Sequence, residues 1–136
     1  MRLIDANVVV YAIGQPHAYR ESCRRVIALA YRGGIEANVD VELLQEILHY
    51  YHRRRATDVG LGVVASLLRR FASPFPMAHD TVRLARQILG QYRHLQARDA
   101  FHAAVVVEHG LEGIISADRG FDRISGVKRF DPNEFV

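Results

Sequence analysis

The sequence predicts an α/β fold in which helices are layered against a mainly parallel central sheet. Three observations carry that expectation. Short β-branched, apolar runs recur around Leu3, Ile35 and Gly113; segments of helical length and amphipathic spacing separate them; and no two runs are joined by the tight turn that closes a β-hairpin. In such folds, sites form beyond the carboxyl ends of the strands.

In chain order, Leu3 to Tyr11 reads as a buried strand running into a short helix, closed by a turn signal at Gly14 and Pro16. From His17 to Arg32, Val26, Ile27, Leu29, Ala30 and Tyr31 are interleaved with charges at helical spacing until Gly33-Gly34 stops the run, and a short strand, Ile35 to Val39, should follow. Asp40 is a good N-cap for a helix reaching Arg55, with Leu43, Leu44, Ile47, Leu48 and Tyr51 on one face and Glu42 and Glu46 off its centre. Another helix spans Thr57 to Ala72. Pro74 and Pro76 bracket a brief extended piece, after which His79 or Asp80 caps a helix carrying Val82, Leu84, Ala85, Ile88 and Leu89, ended or weakened by Gly90. Arg98 to His109 predicts a helix that opens at Asp99 and stops at Gly110, and Gly113 to Ala117 is a compact strand ending at Asp118. The tail is short and mixed.

A chain of 136 residues supports one domain with its own core, so a single domain over residues 1–136 is expected. Its 49% hydrophobic and 24% charged residues exclude wholesale disorder. No apolar run approaches the roughly 20 residues of a membrane span, and no secretory signal opens the chain, which sets the expectation of a cytoplasmic protein without a membrane partner. Cys23 is the single cysteine, an ordinary thiol by its setting, and one cysteine builds neither a disulfide framework nor a cysteine zinc site. Basic residues outnumber acidic ones 18 to 15, and all but Lys128 are arginine. The guanidinium fork suits phosphate or carboxylate, tilting the partner toward nucleic acid or an acidic peptide, although a GC-rich genome gives the same bias.

The acidic residues fall in unexpected places. Asp5 lies within or at the end of an apolar strand, Asp118 ends another, Asp99 opens a helix, and Glu46 flanks a buried helix face. Asp99 has a capping role open to it, Asp118 a turn, and Glu46 a partner such as Arg53. Asp5 is harder to dismiss, because a lone buried carboxylate costs on the order of several kcal/mol unless a cation, a hydrogen bond or a metal compensates it. If the strands of Asp5 and Asp118 are parallel neighbours, both emerge at one sheet edge, where four oxygen-bearing side chains can gather; oxygen ligands suit Mg²⁺ or Mn²⁺.

Four motifs in order, Asp5-Ala6-Asn7, Gln45-Glu46-Ile47-Leu48, Ala97-Arg98-Asp99-Ala100-Phe101-His102-Ala103-Ala104 and Ser116-Ala117-Asp118-Arg119-Gly120-Phe121-Asp122, resemble the PIN domain over essentially the whole chain. Within that family a chain of this size looks most like a VapC-type ribonuclease toxin of a toxin–antitoxin pair. The resemblance implies a three-layer fold, with Asp5, Glu46, Asp99 and Asp118 as the catalytic, metal-binding acids and Asp122 as an additional acid. Ser116 matches a supporting hydroxyl and Asn7 the polar position after the first Asp. It further implies Mg²⁺ or Mn²⁺, an RNA substrate, a cognate antitoxin and a homodimer. One departure is visible: the family often has Ser or Thr near the start of the helix carrying the Glu, where this chain has Asp40, which caps equally well but adds a negative charge.

Metal-assisted hydrolysis of a phosphodiester needs an activated water and neutralisation of charge at the reacting phosphate and leaving oxygen. Several carboxylates held close without metal repel one another, so at least one should hold a proton. His102, three residues after Asp99, shares its helix face, but a histidine beside the apolar Ala103 to Val107 run is expected to be packed and hydrogen-bonded rather than catalytic. His49 and His52 share a face without the HExxH pattern of zinc proteases. Arg53, Arg54 and Arg55 lie roughly 10–14 Å past Glu46 on a continuous helix, within reach of flanking phosphates, with a solvated helix end as the plain alternative. Arg98 and Arg119 adjoin site acids and serve either phosphate or charge balance. The reading is therefore a metal-dependent endoribonuclease. Its rivals are a catalytically silent RNA-binding or receiver-like regulatory domain, and an aspartyl-phosphate hydrolase, which wants an Asp-x-Asp pair and a placed lysine where this chain has Asp5-Ala6-Asn7 and only Lys128.

Overall fold

A computed structural model describes residues 1–135. Strand β1 (Arg2–Ile4) is flanked by β2 (Ala37–Asn38) and β3 (Gly113–Ile115), and β4 (Arg129–Phe130) extends the sheet beyond β3. The strand order is β2-β1-β3-β4 and every pair is parallel, with Ile4 opposite Ile115 in the central register. Helices α1 (Ala6–Ile13), α2 (Arg20–Tyr31), α3 (Val41–Arg53) and α4 (Thr57–Arg70) lie on one side, and α5 (His79–Gln91) and α6 (Ala97–Glu108) on the other. The helices therefore form layers on both faces of the sheet, as the interleaved pattern predicts.

The period of two along a strand decides which core each residue enters. Leu3 and Ile114 point into the core with Ala85, Ala103, Val106 and Phe121; Ile4 and Ile115 point into the core with Val8, Val26, Leu43 and Ile47. All four strand residues are fully buried, each contributing roughly 1.5–3 kcal/mol relative to exposure. The close approach of β4 requires glycine at position 113, where a Cβ would lie 2.1 Å from the Lys128 carbonyl oxygen.

The structure corrects or sharpens the sequence at four places. The stretch Leu3 to Tyr11, expected as a strand running into a short helix, changes over earlier than its valines suggest: the strand ends at Ile4 and Ala6–Ile13 is helical. Val8, Val9 and Ala12 are buried at helical spacing, and that burial outweighs a propensity cost of at most about 0.7 kcal/mol per β-branched residue. Gly90 falls in the last turn of α5, which ends one residue later, at Gln91. The Ile35 to Val39 strand shrinks to Ala37–Asn38, although Phe75, between the two prolines, pairs in parallel fashion with Asp40 and continues that edge. The mixed tail supplies β4, whose pairing with β3 comes from neighbours distant in sequence.

Candidate metal centre

The parallel pairing of β1 with β3 puts the residues that follow each strand side by side. Asp5 and Ser116 leave the sheet together, and the Ser116 hydroxyl donates to Asp5 Oδ2 at 2.6 Å. Around that bond a small lattice forms: Asn7 Nδ2 donates to Ser116 Oγ at 3.2 Å, and the Asp118 backbone N–H donates to the same oxygen at 2.9 Å. Asp118 in turn accepts from the Gly120 N–H through Oδ1 at 2.8 Å, which fixes the turn into the following 3₁₀ segment, Arg119–Arg123. Ser116, itself held by Asn7, thus fixes the Asp5 carboxylate and the backbone of Asp118 together.

Two helices bring the other acids. Asp99 sits in the first turn of α6, its Oδ2 accepting from the Gln96 N–H at 3.3 Å, where the helix dipole favours a negative charge. Glu46 projects from α3, and both of its oxygens meet cations: Oε1 faces Arg98 Nε at 2.8 Å and Oε2 faces His102 Nε2 at 2.8 Å. Asp5, Glu46, Asp99 and Asp118 all line one cleft of ≈ 990 Å³. Asp118 is the exposed member, at the cleft's surface, whereas Asp5 is only 5% exposed.

His102 was expected to be packed and hydrogen-bonded, and it is, with no exposed surface. Its partners were not legible. Nδ1 lies 2.6 Å from Asp40 Oδ2, and Asp40 is itself fully buried at the N-cap of α3, its Oδ1 accepting from the Leu43 N–H at 2.8 Å. Asp5 Oδ1 is 3.7 Å from Nε2. Burial alone would push the histidine's pKa down, but the Asp40 carboxylate, the hydrogen bonds to Asp40 and Glu46, and the charge of Asp5 hold it well above the ordinary value. Each ring nitrogen thus has a carboxylate oxygen within hydrogen-bond distance. The one sequence signal for this arrangement is the spacing of His102 from Asp99, a single turn on the same helix.

Burial pushes the Asp5 carboxyl up to about 6; His102 and the Ser116 hydroxyl act against this, while Glu46 and Asp99 reinforce it. Asp99 is also raised, by burial first and then by Asp118. Negative charge is thus crowded and partly desolvated at this edge, the condition that a cation relieves. Asp5, Glu46 and His102 each present a potential ligand atom within 4.8 Å of one another, close enough to share one metal ion. Both His102 nitrogens, however, face carboxylates, so the donors left for an ion are oxygens. That set fits a hard divalent cation better than zinc.

Other expected residues divide. Arg53, Arg54 and Arg98 line the cleft, with the Arg54 guanidinium 3.6 Å above the Tyr50 ring. Arg55 and Arg119 are exposed and do not line it. Asp122, expected as an additional metal acid, points elsewhere: its carboxylate forms a two-point contact with Arg129, at 2.9 and 3.3 Å, because β4 delivers that arginine beside it. His52 bonds Thr57 Oγ1 at 2.9 Å, which separates it from His49 on the cleft.

A profile of the PIN domain matches residues 2–127. The chain belongs to the PIN domain family. Among its relatives, this PIN domain is 38% identical over 136 residues to Ribonuclease VapC13 of Mycobacterium tuberculosis, covering 95% of this chain and 98% of the relative. It is 31% identical to Ribonuclease VapC7 of the same organism, covering 98% and 92%. In fold it is similar to the crystal structure of Mycobacterium tuberculosis VapC20, described as a sarcin-ricin loop cleaving toxin, with a TM-score of 0.73, 15% identity, and coverage of 94% of this chain and 99% of that one. The layered helices and parallel sheet are those of this PIN fold. Among the described residues no helix is long and apolar enough to cross a membrane.

Proposed function

We propose that this PIN domain is an endoribonuclease that hydrolyses RNA phosphodiester bonds with Mg²⁺ or Mn²⁺, and that it is the toxin of a toxin–antitoxin pair. The observation that carries the chemistry is the gathering of Asp5, Glu46, Asp99 and Asp118, from two strand ends and two helices, in one cleft walled by Arg53, Arg54 and Arg98. Full-length similarity to ribonucleases supports the substrate class.

In this reading Asp5, Asp99 and Asp118 supply oxygen ligands, and Glu46 joins them directly or through water. A bound divalent cation supplies an activated water and stabilises charge on the attacked phosphate and leaving oxygen. Ser116 and Asn7 keep the Asp5 carboxylate aimed into the cleft through the bonds already described. Arg98, half exposed beside Glu46, and Arg53 and Arg54 along α3 meet flanking phosphates, which lets RNA enter a cleft whose floor is acidic.

The partner reading is an antitoxin whose basic side chain enters among the four acids and competes with the cation for them. Self-association as a homodimer belongs to the same proposal, the groove of Val82, Leu89 and Phe101 on α5 and α6 offering apolar surface for it. Residence in the cytoplasm follows from an RNA substrate and an antitoxin made there. The decisive experiment incubates the purified chain with labelled RNA in Mg²⁺ or Mn²⁺. Cleavage that EDTA abolishes and that Asp99→Asn lowers by about 100-fold or more is expected; RNA binding without cleavage in either metal would favour the silent binding domain.

A further inference from the structure

We propose that Asp40 and His102 form a positioning pair for Glu46, presetting its carboxylate for the divalent cation. The inference rests on the metal-nuclease reading above. Neither residue lines the cleft, and both are fully buried beneath it. Their bonds run in one direction: the Leu43 N–H fixes Asp40 at the head of α3, Asp40 holds His102 Nδ1 at 2.6 Å, and Nε2 on the far side of the ring reaches Glu46 at 2.8 Å.

Each link leaves its group little freedom. Asp40 uses one oxygen for the helix cap and the other for the ring, so its carboxylate plane is set by backbone on one side and the His102 ring on the other. The ring, on α6, cannot turn without giving up both carboxylates. Glu46 is a long side chain with many rotamers, and its other contact is Arg98, whose side chain is 49% exposed. The buried pair is therefore what selects the rotamer that brings Glu46 beside Asp5. This also gives a reason for aspartate rather than a hydroxyl cap at the head of α3: a serine would cap, but it has no second oxygen to reach the ring while the first accepts from Leu43.

Loss of an outer partner that orients a metal ligand typically weakens metal binding by about 10–100-fold. Two isosteres separate the two sides of the ring. In His102→Asn the amide nitrogen replaces Nδ1, keeping the bond to Asp40 and losing Glu46; in His102→Gln it replaces Nε2, keeping Glu46 and losing Asp40. Mn²⁺ binding is measured without RNA by electron paramagnetic resonance of the free ion, beside the Tm of each metal-free variant. The expected result departs from the Tm order: His102→Asn weakens Mn²⁺ binding by about 10-fold or more with the smaller fall in Tm, and His102→Gln, which still reaches Glu46 but is no longer held by Asp40, weakens it less, by about threefold, with the larger fall. A purely structural pair would make affinity follow Tm. Equal weakening in both variants, the reverse order, or unchanged affinity in His102→Asn would overturn the positioning role. If either variant does not fold, Asp40→Asn, which leaves a cap oxygen for Leu43 and removes the carboxylate partner of His102, is measured in its place; a loss of Mn²⁺ affinity of about threefold or more is expected, and unchanged affinity would overturn the positioning role. Wild-type protein that neither binds Mn²⁺ nor cleaves RNA would overturn the metal-nuclease reading itself, a result distinct from wild-type binding with two variants that behave alike.

Discussion

Replacing Asp5 by Asn should stabilise the metal-free protein near neutral pH while abolishing cleavage. The Asp5 carboxyl is raised from its ordinary value of 3.8 to about 6, chiefly by burial, after the favourable effects of His102 and Ser116 have acted. That difference corresponds to about 3 kcal/mol of cost to the folded state when the group is ionised. Because the folded pKa lies above the unfolded one, the cost is absent below about pH 4, grows as pH rises, and is complete above about pH 6. Asparagine keeps an oxygen for the Ser116 hydroxyl and removes the charge, so a gain of about 1–3 kcal/mol, roughly 3–10 °C in Tm for a chain of this size, is expected at pH 7 without metal. The gain should shrink toward zero by pH 4. Saturating Mg²⁺ should reverse the order, because only the wild type gains the full binding free energy of the ion. The assay is thermal unfolding of both proteins in EDTA and in Mg²⁺ across that pH range. A lower Tm for the variant in EDTA at pH 7, or a gain independent of pH, would refute the argument that a desolvated carboxylate is held here at a cost.

Arg53→Ala and Arg54→Ala should each weaken RNA binding and lower the magnitude of its salt slope by about 0.7, the value for one contact to a single strand, whereas Arg55→Ala should leave both unchanged; binding titrations at several salt concentrations decide this. Arg55→Gly should raise Tm by a few degrees, from about 0.5–1 kcal/mol, because Arg55, just past the C-cap Arg54 of α3, has φ at +56°, where a side chain is strained; an unchanged or lower Tm on calorimetry would contradict it. Gly113→Ala should cost about 3 kcal/mol, measured by urea unfolding, since its Cβ would lie 2.1 Å from the Lys128 carbonyl oxygen and force β4 away from β3.

The sequence by itself determined which kind of sheet forms and where its acids emerge. Apolar runs separated by amphipathic helices left a parallel sheet as the economical arrangement, and an aspartate directly after a strand has one edge to leave from, so Asp5 and Asp118 were legible at the same edge. Asp99 and Glu46 were legible too, because an acid beside an apolar helix face asks for an explanation that a solvated one does not. The short helix after β1 was legible but its start was not, since the valines of Ala6–Ile13 read as strand until one knows that β1 has neighbours for only three residues and that Val8 and Val9 are buried. Only the tertiary structure decided the partners of each charge. Asp122 looked like a fifth acid and is claimed by Arg129, delivered by a two-residue strand. Asp40 looked like a cap and is also the counterion of His102, 62 residues away. The physical reason is common to both: hydrophobic periodicity is a local property written along the chain, whereas the pairing of a buried charge is fixed by which groups lie within about 3 Å of it after packing, and no local pattern encodes that distance.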